Sequence, residues 1–234
     1  MNKYKSLHLW MIIPFVLMQS GFIDSYWITW SDEDWSTHIH VFSAMFWYIL
    51  LIVQPFLATH GNIQTHRTWG IIGFFVAGAT VSSAVSFLWQ DVSFGDAGGF
   101  GEPFTEGFFY GIVLVELIMM TGFAVAVIMS IVHRKRTDEH VLWLISTIFY
   151  IMMPGLGRGL EFLIFTFYGP YAWLALSICS VLIIITLLMI GWRLKKIMHP
   201  AILLGIVVNI PTFFVYWIGQ QAWYVDWLQQ FMKY

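Results

Sequence analysis

The amino-acid sequence predicts an all-α membrane protein. It reads as a single domain, residues 1–234, forming a bundle of seven transmembrane helices with the N-terminus cytoplasmic and the C-terminus outside. Three observations lead there. The 234 residues are 59% hydrophobic and only 10% charged, whereas a soluble domain carries about 25% charged residues. About seven stretches reach the roughly 20 apolar residues that a helix needs to cross the hydrocarbon core. Basic residues fall in alternate loops and acidic residues in the loops between, the pattern that keeps Lys- and Arg-bearing loops in the cytoplasm. The 13 tryptophans suit membrane interfaces, where an indole has one apolar and one wet side.

The first predicted span runs from Leu7 to Ile23, preceded by Lys3 and Lys5. No small-residue cleavage site follows it, so a retained span is expected rather than a removable signal peptide. The second runs from His38 to Ala58 and the third from Thr68 to Trp89, with Arg67 between them. Ser83, Ser86 and Gln90 recur at helical spacing as a polar stripe in the outer half of the third. The longest connection, Asp91 to Gly107, contains F-G-D-A-G-G-F-G-E-P and is expected to be an external, glycine-loosened loop.

The fourth span, Phe108 to Val132, carries Glu116. That residue lies ten positions below Glu106, about 15 Å along a helix, near the bilayer midplane. An ionised carboxylate there is costly, so Glu116 must be protonated, paired or ligating. A basic run, His133 to Arg136, leads to the fifth span, Val141 to Phe167. This span contains M-P-G-L-G-R-G-L-E, in which Arg158 and Glu161 are three apart and can pair. Pro154 and the glycines around it permit local unwinding. The sixth span, Tyr171 to Trp192, holds the single cysteine, Cys179, as a packing residue. Arg193, Lys195 and Lys196 precede the seventh, Ala201 to Ala222, in which Asn209 and Pro211 predict a kink.

Five of the eight histidines open predicted spans. Neutral imidazole binds metals and haem and titrates near neutral pH. His38 and His40 enter from outside; His66, His140 and His199 enter from inside, each at the return of a helical hairpin, as in a weak internal repeat. The inner trio is a candidate cofactor-binding set, for one metal ion with an open position or for haem between two imidazoles. Interfacial anchoring or capping is its alternative. On a regular helix, residues two apart diverge by about 200°, so a metal shared by His38 and His40 requires an irregular first turn. With that turn, His38 and His40 become metal ligands of an outward polar cavity in which Glu116, Arg158 and Glu161 are the candidate catalytic residues. Iron, copper and zinc all suit such a donor set.

These features point first to an integral membrane protein that binds a metal ion or haem, with an oxidoreductase role as one use of it. A zinc-dependent membrane lipid hydrolase is one alternative, and a transporter or accessory subunit of a membrane complex is the other. The expected partners are membrane lipid, a small-molecule or lipid ligand, and other membrane subunits. A net charge of −2 without a basic stripe excludes nucleic acid. The expected location is the bacterial cytoplasmic (inner) membrane, as a multi-pass protein.

The ordered set H-I-H from His38, Gln54, H-R-T-W-G from His66, His140, P-G-L-G-R from Pro154 and H-P-A from His199 resembles an uncharacterised family of bacterial multi-spanning membrane proteins. Two positions depart from its pattern: Val41 stands where members carry glycine, and Val141 where they carry a basic residue. More distantly, the set is similar to membrane proteins tied to haem–copper oxidase assembly, whose span-end histidines are thought to handle haem. The resemblance implies that the histidines act as a set and names no ligand. Seven spans with an internal N-terminus are also similar to the adiponectin-receptor and alkaline-ceramidase superfamily, which holds zinc through three histidines. The H-x-x-x-H expected in the last span of that superfamily is missing here.

Overall fold

The computed structural model describes residues 2–232 and is 84% helical. Its helices are α1 (Leu7–Gly21), α2 (Trp35–Thr59), α3 (Ile63–Asp96), α4 (Glu106–Val132), α5 (Thr137–Ile151), α6 (Met153–Phe167), α7 (Ala172–Arg193), α8 (Pro200–Asn209), α9 (Val215–Gly219) and α10 (Ala222–Met232). A small antiparallel ribbon, β1 (Gly99–Gly101) with β2 (Phe104–Thr105), connects α3 to α4.

Among the described residues, five helical segments are long and apolar enough to cross a membrane: α2, α3, α4, α7 and the run Pro200–Gly219. The pair α5 and α6 qualifies only together and is bent by 44°. With that pair the described residues hold up to six such spans, against the seven expected. The difference lies at α1. Its 15 residues rise about 23 Å, short of a hydrocarbon core of about 30 Å.

Local chemistry explains the breaks. Pro154 has no N–H to donate and its ring crowds the preceding turn, so α5 stops at Ile151 and α6 restarts at Met153. The unwinding expected within M-P-G-L-G-R-G does not occur: that stretch is regular helix in α6, and the break falls just before it, at Met152. Pro211 acts likewise: α8 gives way to a 3₁₀ turn, Ile210–Phe214, and the Asn209 side chain bonds back to the Gly205 carbonyl at 2.8 Å.

Two expectations are corrected. The third helix does not end at Trp89 but continues to Asp96. The Asp91–Gly107 segment is therefore not a loose loop; its first third is helix, the ribbon follows, and Glu106 and Gly107 already belong to α4. Gly98, Gly99 and Gly101 adopt φ of 88°, 70° and 84° to turn it, and the Tyr216 hydroxyl ties it down at the Pro103 carbonyl, 2.7 Å away. After the seventh predicted span the chain also forms α10, which has no counterpart in the sequence reading. Tyr224 and Leu228 of α10 pack on Leu88, Val92, Tyr110 and Val113.

The chain divides into two compact units. The first comprises Met1–Ala84 and Phe123–Leu156, the second Val85–Gly122 and Gly157–Tyr234. Within the first, α1 packs along α2, and Gly21 lies so close to the Gly155 carbonyl that no side chain fits between. Trp47 of α2 stacks edge-on against Phe123 and donates to the Thr147 hydroxyl at 3.1 Å. Lys3 and Tyr4 both reach Asp138, at 2.6 and 2.9 Å. Within the second unit, Gly107 and Gly111 of α4 form a G-x-x-x-G face against Val215 and Gly219 of α9. Backbones meet there without intervening side chains, the way helices associate when lipid supplies no hydrophobic drive.

Candidate functional site

In the second unit three carboxyls lie within electrostatic reach of one arginine. Asp91 comes from α3, Glu116 from α4, and Arg158 and Glu161 from α6. The Asp91 and Glu116 carboxyls are hydrogen-bonded to each other, and the Arg158 charge acts on both. Arg158 acts on Glu161 as well, as their three-residue spacing on one helix allows. Glu161 in turn lies within electrostatic reach of Cys179 and Tyr216. Cys179 is fully buried and packs as expected.

The expected trio Glu116, Arg158 and Glu161 is thus brought together, and Asp91 joins it. By sequence Asp91 reads as a loop acid. The run V-S-F after it remains apolar, which is the one sign in the sequence that the helix continues.

The access pattern matters. Asp91, Glu116 and Glu161 are partly buried, whereas Arg158 is exposed. A purely structural ion pair is normally enclosed on all sides. Here Arg158 is the exposed member of the cluster. Two carboxyls can share a hydrogen bond only if one carries a proton, because a carboxylate accepts and cannot donate. The arrangement is suited to taking up, holding and releasing a proton next to a fixed positive charge.

The outer histidines belong to the first unit and do not converge. Asp34 caps α2 through the Thr37 N–H at 2.9 Å, so the helix starts at Trp35 and the H-I-H stretch is already regular. Hydrogen bonds from the Ser36 hydroxyl and the Thr37 N–H hold the Asp34 carboxyl below its ordinary value. His38 turns into an aromatic pocket: its Nδ1 shares a 2.8 Å hydrogen bond with the Tyr26 hydroxyl, and the rings of Trp30 and Trp35 lie 4.4 and 5.6 Å away. His40 instead meets Ser83 of the α3 polar stripe at 3.1 Å and the backbone of Thr80. The irregular turn required for a shared metal is not formed, and this geometry does not support a metal held jointly by His38 and His40. Among the described residues, no group of three or more His, Cys, Asp or Glu side chains is arranged to hold a metal ion.

The inner trio is divided between the two units. His66 of α3 and His140 of α5 lie ring against ring, with centroids 6.4 Å apart and planes at 87°. The His140 Nδ1 donates to the Ser130 carbonyl at 2.8 Å; a carbonyl only accepts, so the proton sits on Nδ1 and the Nε2 lone pair is left for other use. The His66 ring bonds to the backbone of Gln54, whose buried Oε1, like the His66 Nδ1, has no partner among the described residues. His199 lies in the other unit. Its Nδ1 accepts the Ala201 N–H at 3.1 Å and caps α8, so the capping alternative describes this residue.

Comparison of the chain with protein-family models, with curated proteins and with solved structures finds no match.

Proposed function

We propose that this chain is a proton-handling integral membrane protein, a transporter or an accessory subunit of a membrane complex. In this reading it crosses the bacterial cytoplasmic membrane seven times from an internal N-terminus. One observation carries the reading: the Asp91–Glu116 hydrogen bond beside the exposed Arg158. Intramembrane acids paired with a cation are the usual parts of proton relays. When the proton is present, the acid pair holds Arg158 weakly, and the guanidinium can turn to Glu161 or to an anionic ligand. When the proton leaves, two negative charges draw Arg158 back. Proton occupancy and anion binding thereby oppose each other at one residue. The span that completes the seven is the first, α1, whose helical path runs on through the π-turn Ile23–Trp27 with Ile28 N–H bonding the Ile23 carbonyl.

The test uses protein reconstituted in liposomes and adsorbed on a solid-supported membrane. A pH jump is expected to drive a charge displacement in the wild type and at most a tenth of it in Asp91→Asn and Glu116→Gln, since losing a proton-transfer group costs about 100-fold or more. Both variants must elute as the wild type on size exclusion. Undiminished displacement in both would sink the reading.

A second reading has its own observation. Gln54, His66 and His140, three of the ordered sequence motifs, meet in the first unit with the His140 Nε2 lone pair available. Two adjacent imidazoles fit haem iron, copper or zinc, and the Ser130 carbonyl is the kind of partner that orients a ligating imidazole. Purified protein titrated with hemin, and separately with copper and zinc, is expected to bind one equivalent and to lose affinity about 10- to 100-fold in His140→Ala. No saturable absorption change with hemin and no bound metal would remove this reading and leave the first intact.

A further inference from the structure

We propose that the turn between α7 and α8 is a binding site for one anionic phospholipid, with the phosphate diester headgroup held by Arg193, Lys195 and Lys196. An open groove of about 840 Å³ lies there, lined by those cations, by His199, and by Trp192, Ile197, Met198 and Pro200. Its construction is specific. The α7 C-terminus closes back on itself, with the Lys195 N–H bonding the Trp192 carbonyl and the Lys196 N–H bonding the Gly191 carbonyl. Lys195 adopts φ 55° to make this turn, a left-handed conformation that non-glycine residues seldom take. Gly191 permits it, since a side chain there would meet the Ile197 backbone at 2.9 Å. The chain thus folds three cations around one opening instead of spreading them along a helix.

The occupant follows from the chemistry of the lining. No Asp or Glu occurs between Glu161 and Asp226, so the stretch carrying these cations has no acidic residue of its own. Arg193 and Lys195 are exposed, as are Trp192 at 74% and Met198 at 76%. The groove sits where two membrane-spanning segments end and begin, the level of lipid headgroups. Cations next to an indole and a thioether match an amphiphile with an anionic head and acyl chains. They do not match a free anion, for which the apolar wall has no use. Basic pockets between spans are known to take acidic headgroups.

The experiment is lipid retention by native mass spectrometry of the full chain, exchanged in detergent against equal phosphatidylglycerol and phosphatidylcholine. The wild type is expected to keep phosphatidylglycerol preferentially. Arg193→Gln with Lys195→Gln should reduce that retention roughly tenfold or more, since each surface cation contributes about a fivefold factor toward anionic lipid. Arg134→Gln with Lys135→Gln removes the same charge from another basic turn and should leave retention within about twofold. Equal loss in both double variants would mean nonspecific attraction and would overturn the site, as would full retention in the first. Displacement of the lipid by millimolar inorganic phosphate would assign the groove to a free anion and likewise overturn it. This result is independent of the proton reading, because none of these residues belongs to the Asp91–Glu116–Arg158 cluster.

Discussion

Arg158→Met is expected to lower stability in detergent by about 1–3 kcal/mol at neutral pH and to abolish the pH-driven charge displacement. Removing one member of an enclosed ion pair costs about 3–5 kcal/mol, because the partner charge stays behind. The stranded carboxyls can take up protons instead of staying charged, which lowers that cost. Three carboxyls nevertheless depend on this one guanidinium, and methionine returns only its stem. Two controls separate electrostatics from packing. Adding Glu161→Gln to Arg158→Met removes one stranded charge and should recover part of the loss. Lowering the pH protonates the stranded carboxyls, so the stability gap between variant and wild type should narrow as pH falls. The measurement is thermal unfolding across a pH series. A gap that is constant with pH would mean that Arg158 contributes through its stem alone, and the charge cluster would then have no energetic role.

How much of the fold and the site is legible in the sequence depends on whether the deciding physics is local. The break at Pro154 and the kink at Pro211 are readable because a missing N–H acts within one turn of its own position. The pairing of Arg158 with Glu161 is readable because helical spacing alone brings them together. Asp91 is not, because a charged residue near the end of an apolar run resembles a loop. Its partner Glu116 lies on another helix, and that contact leaves no trace in either local sequence. The helix α10 escapes because hydropathy finds spans, whereas W-Y-V-D-W-L-Q-Q-F-M belongs to an 11-residue amphipathic segment whose partner face is set by α3 and α4 residues of the same unit. The histidines look alike in sequence because all open spans. Their hydrogen-bond partners distinguish them: Tyr26 for His38, Ser83 for His40, Ser130 for His140 and the α8 cap for His199.

The other large effect is expected at Gly111 and Gly219, and Gly107 supplies the internal control. A Cβ on Gly111 would run into the Val215 carbonyl, and one on Gly219 into the Gly107 carbonyl, with the Gly111 nitrogen at 2.8 Å behind it. These neighbours are backbone, so no side chain can rotate away; α4 and α9 must separate. Overpacking of this kind costs about 1–3 kcal/mol and at times more, and here it also breaks a close helix contact that lipid cannot replace. A Cβ on Gly107 meets chiefly the Gln220 side chain at 3.3 Å, which can give way. Alanine at Gly107 also gains helix propensity of about 0.8–1 kcal/mol over glycine. Gly107→Ala should therefore be neutral or mildly stabilising, whereas Gly111→Ala and Gly219→Ala should each lose about 2–3 kcal/mol, although all three add one methyl group to the same interface. The consequence reaches the site: Glu116 lies five positions after Gly111 on α4, and Tyr216, within electrostatic reach of Glu161, lies on α9. A displaced α4 moves one side of the acid–arginine cluster against the other, so the two destabilised variants should also lose charge displacement beyond what their reduced folded fraction explains. Equal melting temperatures for all three alanine variants would show that α4 and α9 do not meet backbone to backbone, and would take with it the positioning of Glu116 that depends on that contact.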